Sequence, residues 1–94
     1  MYNIHSEELM NKSQVIEAFK KSAKNTKYVT YDEKKEVLQT KRTEIFLEPR
    51  KLIVIPRNLS CQFKVEFKNI GEILEVDDTI YFFDKNKQSI GYAN

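Results

Sequence analysis

The most regular pattern in the chain runs from Phe63 to Lys68, where Phe63, Val65 and Phe67 alternate with Lys64, Glu66 and Lys68. A period of two sends alternate side chains to opposite faces, so the pattern predicts a strand with one dry and one wet face. A different period governs the segment after Asn11, where Val15, Ile16, Phe19 and Ala23 share a helical face. Asn11 is suited to cap that helix, and Gln14 stands at the third helical position, where it can reach back in a capping box. Lys20, Lys21 and Lys24 would meet the negative end of the helix dipole, and Asn25 is a stop signal. Together these signals predict a helix over about 12–24, which could begin as early as Ser6. Residues 1–10 are weakly patterned and read as a flexible lead-in.

Everything after Asn25 reads as antiparallel strands. Lys27 to Tyr31 is β-prone and Asp32 to Lys35 is a polar turn. Glu36 to Thr40 can return alongside, continuing or bending into Thr43 to Leu47. Glu48-Pro49-Arg50-Lys51 has proline where a type I turn wants it and joins that strand to Leu52–Pro56. Asn69 to Glu72 bends the chain into Ile73–Val76, and Asp77-Asp78 is a tight-turn pair leading to Thr79–Asp84. A last short strand passes through Ile90 and Tyr92. No second helix is available for a parallel crossover. The expectation is therefore a single α+β domain spanning 1–94, with an N-terminal helix followed by a curled, half-barrel-like antiparallel sheet of about five to six strands over residues 27–93. Its core should contain Phe19, Ile45, Leu47, Val54, Phe63, Val65, Phe67, Ile80 and Phe82.

Two segments, Leu52-Ile53-Val54-Ile55 and Ile80-Tyr81-Phe82-Phe83, are apolar on both faces, yet one short helix covers only part of one face of a sheet. Either the sheet curls on itself or a second chain covers the remainder. On the second segment, Ile80 and Phe82 point one way and Thr79, Tyr81 and Phe83 the other, so one side is surplus to a one-core domain. Tyr81 and Phe83, with Asp78 and Asp84 as a polar rim, are the candidate partner-binding residues. The intramolecular alternative lays the helix over Tyr81 and Phe83 through Ile16 and Phe19.

Composition narrows the classes. The 94 residues suffice for one core without staples, and 12% aromatic content is too high for a disordered chain. The single cysteine allows no internal disulfide and no secretory leader pattern is present, which points to the cytoplasm. Apolar runs of four residues fall far short of the ~20 needed to cross a membrane as a helix, so no membrane partner is expected. Charge is polarised: twelve basic against eight acidic residues through Arg57 give +4, and four against six from Asn58 onward give −2. Lys41, Arg42, Arg50, Lys51 and Arg57 flank the first strong hairpin, and Tyr28, Tyr31, Tyr81 and Tyr92 could offer stacking faces, which defines a nucleic-acid alternative.

Catalytic chemistry finds little purchase. The one histidine, His5, stands in the least patterned stretch, and nothing pairs it with Cys61 or a serine as base and nucleophile. Cys61 itself reads as a small apolar side chain rather than a reactive thiol. Glu75, Asp77 and Asp78 form the one acidic cluster, better explained by turn chemistry than by a cation site. With two glycines in the whole chain there is no glycine-rich phosphate loop. No metal, no cofactor and no enzymatic activity are expected. The function expected is that of a non-enzymatic protein-binding module acting on a protein partner or as a homo-oligomer. The small, lysine-rich and glycine-poor make-up is similar to inhibitors and regulators of phages and mobile elements in bacteria. The alternative is a small nucleic-acid-binding regulator using the basic hairpin 41–57.

Overall fold

The structure, a computed structural model, describes residues 10–58 and 61–94. The helix α1 spans Lys12–Asn25. Its start is the reciprocal capping box expected from the sequence, with Gln14 N–H donating to Asn11 Oδ1 at 2.9 Å and Asn11 N–H to Gln14 Oε1 at 3.0 Å. Among the described residues eight strands follow, where about five to six were expected: β1 Thr30–Asp32, β2 Val37–Gln39, β3 Thr43–Leu47, β4 Lys51–Pro56, β5 Phe63–Glu66, β6 Glu72–Val76, β7 Thr79–Phe83 and β8 Ser89–Ala93. They pair antiparallel in two meanders, β1-β2-β3-β4-β5 and β6-β7-β8.

The α+β class, the leading helix and the antiparallel pairing are thus as expected, while the strands divide between two sheets. The stretch 36–47 is two strands because the chain reverses at Lys41-Arg42. Thr40 N–H and hydroxyl both donate to Thr43 carbonyl, at 2.9 and 3.3 Å, and both threonines are buried. Buried backbone groups have to be satisfied, and this pairing does so within the turn. Phe67 remains buried although the strand ends at Glu66 and a 3₁₀ turn, Phe67–Asn69, begins there.

One core joins both sheets and the helix. Val15 and Phe19 from α1, Leu38, Ile45, Leu47, Leu52, Val54 and Val65 from the large sheet, and Ile80, Phe82 and Ala93 from the small one form a single cluster. Of the nine expected core residues all are buried except Phe63, which is half-buried against that cluster. The helix lies beside β1 and β6, the first strands of the two sheets, and so fills one seam between them. It is tied to the large sheet by Lys12–Glu36 and Lys20–Glu33 ion pairs, each 2.7 Å, and by Phe19 against Tyr31. Its C-cap Thr26 donates its hydroxyl to Asp78 in the β6–β7 turn.

The opposite seam is closed by Phe63 of β5 against Gly91 of β8. A methyl group built on Gly91 would lie 2.7 Å from that ring, and the residue has φ near +157°, so glycine is required there for space and for backbone. Two sheets closed by a helix on one side and a ring-on-glycine contact on the other leave their outer faces, and the grooves along the β5–β8 seam, to carry function.

Candidate functional site

On β7 the side chains alternate as expected: Ile80 and Phe82 are fully buried, and Tyr81 and Phe83 lie on the other face. The helix does not cover them. Phe19 is fully buried in the common core together with Ile80 and Phe82, and Ile16 packs against that same core. The outer face of the small sheet is open instead.

Cross-strand register extends this face beyond the two residues the sequence singled out. Leu74 pairs with Tyr81, and Tyr81 with Tyr92, so one row runs across all three strands. Tyr92 is 57% exposed, Val76 50% and Leu74 40%. Tyr81 stands between two rings, stacked on Phe83 at 6.2 Å and tilted against Tyr92 at 6.1 Å. Such aromatic pairs fix ring orientation, which gives the face a definite shape. Leu74 and Val76 were missed in the sequence because an apolar alternate reads equally well as core, and Tyr92 was named there only as a stacking face for nucleic acid. The available signal was that Ile73-Leu74, like Ile80 to Phe83, is apolar on both faces.

The two aspartates proposed as a rim work first within the fold. Asp77 and Asp78 both have positive φ, 51° and 68°, and make the two-residue turn between β6 and β7. Asp78 accepts the Thr26 hydroxyl, lies 3.9 Å from Lys41 Nζ, and donates its own N–H to Glu75 Oε2 at 2.9 Å. The acidic cluster of the sequence is therefore a turn. Among the described residues no group of three His, Cys, Asp or Glu side chains is placed to hold a metal ion. Asp84 organises the β7–β8 loop, its Oδ1 accepting from Asn86 N–H at 2.8 Å and Gln88 N–H at 3.0 Å.

The five basic candidates separate. Lys41, Arg42 and Arg57 come together at one end of β3 and β4, where Arg57 Nη1 donates to Lys41 carbonyl at 3.1 Å. Arg50 and Lys51 stand at the other end, roughly 17 Å away along a five-residue strand. Lys51 there has Glu48 at 4.0 Å and Glu66 as its cross-strand partner. Lys41 Nζ also sits 4.1 Å from the centre of the Tyr28 ring, an exposed cation–π contact.

Cys61 is exposed, contrary to the packing role expected of it, and His5 lies outside the described residues. Among the described residues two groups have shifted protonation. Lys20 is held above its ordinary range by the hydrogen bond and charge of Glu33, and Tyr31 is raised by burial and then by the charge of Glu36. Both belong to the helix–β1 junction, where Tyr31 also lines an open groove with Asp32, Glu33, Lys34, Lys35 and Glu44. No protein-family model, curated protein or solved structure matches the chain.

Proposed function

We propose that this chain is a non-enzymatic protein-binding module, a small inhibitor or regulator of phage or mobile-element type, that receives a protein partner on the outer face of the small sheet. The observation that carries this reading is the Leu74–Tyr81–Tyr92 row with Phe83 and Val76 beside it. It is a contiguous apolar and aromatic surface on a domain whose core is complete without it. Large aromatic side chains on a rigid strand offer contact area at small entropic cost, which is why they dominate the energetic centres of interfaces.

The partner's chemistry follows from the margin of the face. Glu72 shares it, the acidic turn Asp77-Asp78 closes one end of β7 and Asp84 the other. No lysine or arginine stands on strands β6 to β8. An apolar patch rimmed by basic residues is the complementary surface.

The test compares wild type with the double variant Tyr81→Ser/Phe83→Ser in tagged capture from the native host after nuclease treatment. Mass in solution is measured on both. The expected result is a defined protein captured by wild type and by Phe46→Ser, which alters the outer face of the other sheet, and lost from a folded double variant. Equal capture by the double variant would overturn the reading. Unfolding of the double variant would show that the face stabilises the domain itself.

A further inference from the structure

Two of the chain's three arginines stand opposite each other at one end of the β3–β4 ladder. Arg57 N–H donates to Arg42 carbonyl at 2.8 Å, one step beyond the Thr43–Pro56 pair, and Arg42 N–H donates to Asn94 carbonyl at 2.8 Å. The Arg57 guanidinium is held in turn by Lys41 carbonyl. The backbone therefore fixes three cationic residues, Lys41, Arg42 and Arg57, at one place. Like charges directly opposite on a sheet repel, and a neighbouring carboxylate would offset that repulsion. Among the described residues no carboxylate makes an ion pair with either arginine. Asp78 reaches Lys41 alone, at 3.9 Å, and also accepts the Thr26 hydroxyl. Among the described residues the charge of the two arginines is left uncompensated.

The three cations line a groove of about 720 Å³, together with Phe63 and Tyr92. Tyr92 is the link between the groove and the aromatic row, since its ring also neighbours Tyr81. We propose that this groove binds the phosphodiester backbone of a single-stranded nucleic acid, with Lys41, Arg42 and Arg57 on successive phosphates and Tyr92 as the stacking platform for an unpaired base. Guanidinium forks match phosphate geometry, and a positive groove beside an exposed aromatic face is the arrangement that holds single strands without sequence preference. A duplex keeps its bases stacked inside and cannot use the ring. This site differs from the basic hairpin read from the sequence, because Arg50 and Lys51 take no part. It is independent of the protein-binding reading and shares only Tyr92 with that surface.

The experiment is anisotropy of a labelled oligo-dT titrated with the full chain between ~50 and ~200 mM salt. Three phosphate contacts on a single strand give a log–log salt slope of about −2, which weakens binding about twenty-fold over that range. Arg42→Gln/Arg57→Gln is expected to reduce the slope to about −0.7. Arg42→Lys/Arg57→Lys keeps the slope and serves if the glutamine variant is poorly folded. Tyr92→Ser should weaken binding roughly five-fold or more at unchanged slope. Arg50→Gln/Lys51→Gln should bind as wild type. Three results overturn the proposal: no salt-sensitive binding at ~50 mM salt, equal loss in the Arg50/Lys51 variant, or displacement by poly-glutamate as effective as by unlabelled oligo-dT. The last would assign the cluster to an acidic peptide. Binding that survives in the Tyr81→Ser/Phe83→Ser variant separates this site from the sheet face.

Discussion

The outer faces of the two sheets are built from similar residue types and end in different states. On the large sheet, Val37 pairs with Phe46, Phe46 with Ile53, and Ile53 with Lys64, so an apolar row ends in a lysine. The neighbouring rank runs Gln39, Glu44, Ile55, and Gln39 Nε2 donates to Glu44 Oε2 at 2.9 Å across it. Val37, Phe46, Ile53 and Ile55 are all half-buried, as are Tyr81 and Phe83 at the centre of the other outer face. On the small sheet, the row Leu74, Tyr81, Tyr92 contains no charged member, and its two ends are exposed. Apolar alternates on an outer face are therefore not enough to mark a binding surface. What distinguishes the two sheets is the margin of each face: Lys64 and the Gln39–Glu44 bond flank the apolar row of the large sheet, whereas exposed Leu74, Val76 and Tyr92 flank that of the small one.

The sharpest test of this contrast begins on the inner side of β7. Phe82 is fully buried, and Phe82→Ala should cost about 3–5 kcal/mol, read as a drop in the denaturation midpoint. A loss under about 1 kcal/mol would mean that the two faces of the strand are not distinct, and the argument from a surplus face would fail with it.

Next in size is the seam that makes the small sheet part of the common core. Gly91→Ala forces a methyl group against the Phe63 ring and a side chain into a backbone conformation that disfavours one, so about 1–3 kcal/mol should be lost. Pairing the change with Phe63→Leu should recover part of it, measured as a double-mutant cycle. Additive losses would show that the ring is not the obstacle.

A smaller pair of effects addresses the outer faces directly. Phe46→Ser removes a half-buried ring that its neighbours cover, at a cost of about 1–2 kcal/mol. Tyr92→Ser removes an exposed one and should change stability by no more than about 0.5 kcal/mol. Equal effects in urea titrations would erase the difference between the sheets.

How much of this was legible beforehand follows from how local each feature is. The capping box at Asn11 and Gln14, the Pro49 turn, the Asp77-Asp78 turn and the alternation at Phe63 and Val65 are written within a few residues, and each is found in the structure. The division into two sheets is not local. It depends on Phe63 meeting Gly91, on Thr26 meeting Asp78, and on Arg42 N–H reaching Asn94, contacts between residues 28 to 52 positions apart. The charged hairpin was visible as a composition, but only register shows that Arg42 and Arg57 converge while Arg50 and Lys51 stand at the opposite end. Tyr81 and Phe83 were legible as a surplus side because alternation on one strand suffices to place them. Tyr92 and Leu74 joined them only through pairing between strands.

The smallest expected effect lies away from both outer faces, at the junction of helix and β1, and sharpens the comparison by showing what a covered aromatic looks like. Tyr31 packs on Phe19 at 6.2 Å, and burial, reinforced by the charge of Glu36, raises its hydroxyl above the ordinary tyrosine value. In the folded chain the neutral form is therefore favoured more than in the unfolded chain. Between the unfolded and folded values the native state holds more protons, so stability falls as pH rises through about 10. Lys20 acts in the same direction, because its value is raised by Glu33 at 2.7 Å and the ion pair is lost as the ammonium deprotonates. Both contributions are fully present below pH ~10, so neither makes stability depend on pH near neutrality. The melting temperature of wild type should decline above that point, and Tyr31→Phe should decline less, having no hydroxyl to ionise. A Tyr31→Phe curve superimposable on wild type would show that this ring is no better covered than the open face of the small sheet.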